Sequence, residues 1–240
     1  MSETFSNIVR SKKPAAPVAE LRVEVIADLI CPFCYLGKRR LDDAMRAVQG
    51  PSAVSWYPYQ LNPDMPAAGM GFEEYLRHRF GDPANIEPVL NELAREGLRE
   101  GILFRFDKLE HVPNTLPVHQ LMHFAEASGK NQTALAEDLM SAFFERGENI
   151  GDRDVLVELS RPHGLGAAEV AQAVEDEHTR QIVLSREAQA RATGMSGVPG
   201  FLVNRRLLVI GAQGQESLVS AFDRAMFGEG SDPLVSPTLH

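Results

Sequence analysis

Apolar and polar positions alternate in two distinct rhythms along this chain. Residues 21–29 form a largely apolar, β-branched run that reads as a central strand. Residues 32–48 follow with helical spacing and stop before Gly50-Pro51. From Ser52 to Tyr59, Val54, Trp56 and Pro58 alternate with Ser55, Tyr57 and Tyr59. That is a second strand, and the helical crossover makes it parallel to the first. Gln60-Leu61-Asn62-Pro63-Asp64-Met65-Pro66 is a turn-rich exit.

The middle of the chain is helical. Phe72, Tyr75, Leu76 and Phe80 share one face, as do Ile86, Val89, Leu90, Leu93, Ala94 and Leu98. Residues 101–109 alternate briefly and are expected to be extended. Asn114 or Thr115 caps a helix running to Ser128, and further helices are expected from Asn131 or Thr133 to Gly147, from Asp152 to Gly164, over 167–175 and over 177–192. The rhythm then reverts. Residues 200–203 and 207–210 read as a hairpin across Asn204-Arg205-Arg206, and Glu216 to Phe227 as a last helix.

These elements compose an α/β fold in which βαβ and ββα halves share one sheet, interrupted by a large all-helical insertion. The expected divisions are a flexible leader (1–20), a first half (21–64), the insertion (65–192), a second half (193–228) and a mobile tail (229–240). Ligands of open α/β sheets bind beyond the carboxyl ends of parallel strands. The insertion would roof that end.

Composition narrows the function. Of 240 residues, 44% are hydrophobic and 24% charged, which suits a core-forming chain. The net charge of −9 argues against nucleic acid as a partner. No apolar run approaches transmembrane length, and residues 1–20 are polar, so the expectation is a cytoplasmic protein with no membrane partner. Both of its cysteines lie in one motif, which rules out a stapled secreted scaffold.

That motif is Cys31-Pro32-Phe33-Cys34, set between the first strand and the first helix. Strand, dithiol and helix in this order is the setting of a thioredoxin-like redox site. The first turn of a helix carries unpaired N–H groups and partial positive charge, which stabilise a thiolate on Cys31. Pro32 fits the first turn because its missing N–H has no helical role there. Cys34, a turn further in, is expected to be more buried and protonated, as suits a resolving thiol. Three duller readings are a structural disulfide, half a zinc site and ordinary buried side chains. A bridge over two residues closes so small a loop that it adds only about 2 kcal/mol. A zinc site would need His119 and His123, far outside finger spacing; these histidines read better as polar core or surface groups, and no metal is expected. Asp28 either biases proton transfer or caps a loop. Asn114 and Thr115 either line the cleft or cap a helix. Lys38, Arg39 and Arg40 either add positive potential near the thiolate or form a solvated face. Tyr35, Trp56 and Tyr59 read as packing groups.

Cys31-Pro32-Phe33-Cys34-Tyr35, Gln60-Leu61-Asn62-Pro63, Pro113-Asn114-Thr115 with His119, and Gly197-Val198-Pro199 together resemble the DsbA family, and within it the FrnE-like branch of dithiol–disulfide oxidoreductases. The resemblance spans about residues 21–227. It implies a thioredoxin fold with a helical insertion. It implies Cys31 as nucleophile, Cys34 as resolving thiol and Pro199 as a cis-proline facing them, with Val198, Pro32, Phe33 and Asn114 at the substrate. Gly200 departs from the bulkier residue common in relatives, and either widens the cleft or loosens the loop. The implied activity is thiol–disulfide exchange or isomerisation on protein or small-molecule substrates by a monomer or homodimer. No cofactor is needed, and glutathione is a candidate redox partner. The alternatives are a glutathione-dependent isomerase or kappa-type transferase, relatives that carry serine in place of the first cysteine, and a non-catalytic binding module.

Overall fold

A computed structural model describes residues 20–195 and 197–228. The expected leader, apart from Glu20, and the expected tail lie outside the described residues. Strand β1 (Leu21–Ala27) leads into helix α1 (Pro32–Ala47), which returns the chain to strand β2 (Ser52–Pro58). After the insertion come β5 (Gly200–Val203), β6 (Leu207–Ile210) and helix α9 (Gln215–Phe227). The four strands form one sheet in the order β2-β1-β5-β6. β1 pairs with β2 in parallel, Leu21 opposite Ser52 and Ala27 opposite Pro58. β5 runs antiparallel to both β1 and β6, with Ile26 opposite Gly200 and Gly200 opposite Ile210.

Alternation along β1 assigns its two faces. Val23, Val25 and Ala27 enter the main core with α1, α9 and the insertion, while Ile26 packs on the other face with Ala190 and Met195, bordered by Tyr57, Tyr59 and Leu208. Asn204 and Arg205 adopt left-handed backbone at φ 48° and 54°, which turns the β5–β6 hairpin.

The insertion comprises α2 (Phe72–Phe80), α3 (Glu87–Arg99), α4 (Leu116–Ala127), α5 (Gln132–Ser141), α6 (Arg153–Ser160), α7 (Ala167–Glu175) and α8 (Glu177–Ala192). Polar residues start several of these as expected. Asn131 Oδ1 accepts from the Ala134 N–H and Asp176 Oδ2 from the Thr179 N–H, each satisfying a first-turn donor. Two expectations need correction. The insertion is not wholly helical, because β3 (Met70–Gly71) pairs antiparallel with β4 (His111–Val112). Residues 101–109 are not extended: they run irregularly into a 3-10 turn at Phe106–Lys108. Their alternation reflects alternate burial against rings instead of strand pairing. Phe104 stacks on Phe106 at 5.2 Å and meets Phe144 edge-on at 5.3 Å.

Phe143 and Phe144 lie in a π-helical turn, Ala142–Arg146, that continues α5. Tyr35 of α1 stacks on Phe144 at 6.0 Å. One apolar core therefore runs without interruption from β1 through α1 into the insertion.

Candidate active site

The site forms where β1 ends. The chain leaves β1 at Asp28, turns so that the Asp28 carbonyl accepts the Cys31 N–H at 3.2 Å, and enters α1 with Cys31 as its N-cap and Pro32 next. The Cys31 carbonyl accepts the N–H groups of Cys34 (3.0 Å) and Tyr35 (3.2 Å). Both sulfurs are free thiols. Cys31 is 4% exposed and Cys34 1%, while Phe33 between them is 41% exposed. Burial pushes the Cys34 thiol well above its ordinary value, and the adjoining Cys31 sulfur adds to the shift. Cys34 thus keeps its proton until a base removes it.

The Val198–Pro199 peptide bond is cis. Gly37 explains how this loop reaches α1. A methyl at Gly37 would lie 2.8 Å from Pro199 Cγ and 3.1 Å from Phe201 Cζ, so glycine permits the close approach. Gly200 neither widens the cleft nor loosens the loop. The Met195 thioether fills the space that a side chain at 200 would take.

The loop after β2 closes a second side. The Asp28 carboxylate is fully buried, and its Oδ2 accepts from the Leu61 N–H at 2.7 Å and the Thr115 hydroxyl at 3.3 Å. Asn114 serves its local backbone: Oδ1 accepts from the Leu116 N–H at 2.9 Å and Nδ2 donates to the Met65 carbonyl at 2.7 Å. It also borders an open groove of ≈ 320 Å³ with Gln60, Arg180 and Arg191.

Tyr75 of α2 reaches the site as well. Burial raises its phenol, opposed by the Asn62 amide and Arg79 and supported by Asp28 and Cys31. Sequence reasoning placed Tyr75 on a packing face only. Nothing in its helical spacing marks it as a neighbour of a cysteine 44 positions away.

Lys38, Arg39 and Arg40 form neither a solvated face nor a reserve of free positive charge. Lys38 is buried and pairs with Asp42 and Glu137, each at 2.7 Å. Arg39 pairs with Glu137 at 2.6 Å, and Arg40 with Glu100 at 2.6 Å. These ion pairs bind α1 to the insertion. Tyr35 joins them: its hydroxyl lies 2.6 Å from Glu145 and 2.9 Å from Glu137. Trp56 is buried, its indole N–H donating to Thr133 at 3.1 Å, and Tyr59 lies under the Arg191 guanidinium.

Residues 22–223 match the DSBA-like thioredoxin domain. The structure is similar to that of the probable DsbA oxidoreductase SCO1869 from Streptomyces coelicolor, with a TM-score of 0.79 and 27% identity over 90% of this chain and 94% of that one. Two more distant structures share the fold. One is a 2-hydroxychromene-2-carboxylate isomerase, with a TM-score of 0.65 and 15% identity over 85% of this chain and 95% of that one. The other is the cytosolic disulfide reductase DsbM from Pseudomonas aeruginosa, solved with GSH, with a TM-score of 0.54 and 20% identity over the same shares, 85% and 95%.

Proposed function

The chain belongs to the DSBA-like thioredoxin domain family, and on that footing we propose that it exchanges disulfides through Cys31 and Cys34. The observation that carries this reading is the asymmetric pair on one helix start: a free thiol at the N-cap of α1, and three residues on a deeper thiol that burial keeps protonated. The Cys31 thiolate attacks a substrate disulfide and forms a mixed disulfide. Cys34 then attacks Cys31, releases the substrate thiolate and closes an intramolecular disulfide. The reverse sequence oxidises or isomerises substrates. Exposed Phe33 and half-buried Pro32 and Val198 are the residues offered to an extended substrate. Glutathione is the proposed thiol partner and a reducing compartment such as the cytoplasm the proposed setting. A Cys-x-x-Cys pair that holds both cysteines of the sequence supports a thiol partner, and DsbM, a cytosolic disulfide reductase of the same fold solved with GSH, is consistent with both.

Cys34→Ser tests this reading. With a disulfide substrate it should accumulate the Cys31 mixed disulfide, visible as an adduct by intact mass, and should lose turnover. Cys31→Ser should form no adduct. The fold shared with 2-hydroxychromene-2-carboxylate isomerase favours one rival, a glutathione-dependent isomerisation. That rival predicts full activity in Cys34→Ser, with no adduct needed for turnover.

A further inference from the structure

The loop that leaves β2 and the long helix α8 face each other across the open groove of ≈ 320 Å³. Gln60, just past the carboxyl end of β2, stands on one side with Asn114 and Leu116. Arg180, Leu184 and Arg191 of α8 stand on the other, spaced so that they share one helix face. Clefts beyond the carboxyl ends of parallel strands are where open α/β sheets take ligands.

The groove is cationic in a chain whose net charge is −9. Arg191 is held in place from several directions. Its Nε and Nη2 donate to Glu187 Oε1 at 3.1 and 2.6 Å, Nη2 also donates to the Gln60 carbonyl, and the guanidinium lies 4.1 Å from the centre of the Tyr59 ring. Its side chain is still 39% exposed, and among the described residues its Nη1 has no partner. Glu187 is the one carboxylate in the lining, and it is already engaged: its side chain is 6% exposed and Oε1 also accepts the Gln60 N–H at 2.8 Å. Arg180 meets only Glu177, at 3.3 Å on the open surface, a pair too exposed to neutralise it firmly. Two guanidiniums therefore keep unused N–H donors beside one spent carboxylate. Such forks match carboxylates in geometry and charge.

The groove is braced on the residue that carries the dithiol. Leu61, next to Gln60, donates its N–H to Asp28 Oδ2 at 2.7 Å, and Thr115, next to Asn114, donates its hydroxyl to the same oxygen at 3.3 Å. The Asp28 carbonyl in turn accepts the Cys31 N–H at 3.2 Å. An extended peptide spans about 3.3–3.6 Å per residue, so a carboxylate one or two residues from a substrate sulfur reaches from one place to the other.

We propose that this groove is an anion-recognising subsite of the redox site, in which Arg180 and Arg191 take the carboxylates of a small acidic peptide disulfide while its sulfur meets Cys31. The inference rests on the dithiol reading above and adds a substrate class to it. The volume falls at the low end of ligand sites, about 300–1,000 Å³, which suits a peptide of a few residues better than a protein segment. The arginines stand roughly 16 Å apart along α8, so they engage separate carboxylates. Leu116 and Leu184 offer apolar wall to the methylenes between. In the balanced reaction the two protein thiols become the Cys31–Cys34 disulfide and the substrate disulfide becomes two thiols; the carboxylates are bound and unchanged.

The test uses the full-length reduced protein and two probes, glutathione disulfide, which carries carboxylates, and hydroxyethyl disulfide, which carries none. Loss of protein thiols is timed with each, and each rate is divided by that disulfide's rate with dithiothreitol. The proposal predicts that the wild-type protein prefers glutathione disulfide about tenfold or more, and that Arg180→Gln lowers this preference about three- to tenfold. Arg180→Lys should recover part of it, keeping the charge without the fork. Raising sodium chloride from about 0.05 M to about 0.5 M should shrink the preference in the wild-type protein, and less in Arg180→Gln. A merely structural role for Arg180 would change both rates together and leave their ratio alone. A wild-type ratio near one, or a ratio that neither Arg180→Gln nor salt alters, overturns the proposal while leaving the dithiol reading intact. Failure of the wild-type protein to oxidise with either disulfide overturns both.

Discussion

At Gly37, a single methyl group decides whether the Pro199 loop can rest on α1. Gly37→Ala would place carbon 2.8 Å from a proline ring atom and 3.1 Å from the Phe201 ring, neither of which swings aside easily. Overpacking of this kind costs about 1–3 kcal/mol, and the better helix propensity of alanine returns about 1. The denaturation midpoint in urea should therefore fall. Gly200→Ala makes a useful contrast, because the atoms it meets belong to the flexible end of Met195. That thioether can move, so the change should stay within about 1 kcal/mol. The residues legible in the sequence were those whose meaning is local. Cys31 and Cys34 announce themselves by spacing, whereas Pro199 was legible only through the family resemblance that Gly197-Val198-Pro199 carries. Asp28 and His119 do not announce themselves as neighbours, because only the fold brings the end of a strand to the face of an insertion helix. Asn114 was ambiguous by nature, since a capping amide and a cleft amide have the same sequence signature.

Among the elements, α1 carries the dithiol and is also the strut that joins sheet to insertion. Its Lys38-Arg39-Arg40 run meets Glu137 of α5 together with Glu96 and Glu100 at the end of α3. Lys38→Met tests the strut. It removes a buried cation from two carboxylates whose side chains remain about a quarter exposed, at 27% and 24%. Water can partly rehydrate them, so the loss should be about 1–3 kcal/mol instead of the larger cost of a fully buried orphan charge. Equilibrium unfolding in urea measures it. Helix positions were legible because polar starts and glycine stops recur at several of them. The β3–β4 ladder was not, since two residues per strand leave no period to read. Residues 101–109 misled for a related reason: rings at every second position, packed into one aromatic cluster with Phe144, imitate the period of a strand.

At the scale of the molecule, sheet and insertion share one core, so chemistry at the dithiol and stability of the whole are linked through ionisation. Cys34, Tyr35 and Tyr75 all hold their protons more tightly when folded than these groups do ordinarily. A group raised on folding adds stability that is complete below its unfolded value and declines above it. The urea midpoint of the reduced protein should therefore hold steady to about pH 8.5, fall as unfolded cysteine begins to ionise, and fall more steeply beyond about pH 10 as unfolded tyrosine follows. Oxidising the dithiol should remove the first of these two phases. The division into halves and insertion was legible because the rhythm of the sequence changes at each junction. The joint core was not, since no local pattern reports which helices meet the sheet.

The most direct test is the reduction potential of the Cys31–Cys34 pair. The protein is equilibrated in glutathione buffers of graded ratio and its free thiols are counted. The account predicts one two-electron transition that ends in an intramolecular disulfide, with a potential within the span from about −270 mV to about −120 mV of thioredoxin-like proteins. Because Cys34 holds its proton, that potential should become more negative as pH rises, by about 30 mV per pH unit for each proton released on oxidation. A protein whose two thiols both remain free at every ratio, or end as separate glutathione adducts, would contradict the account.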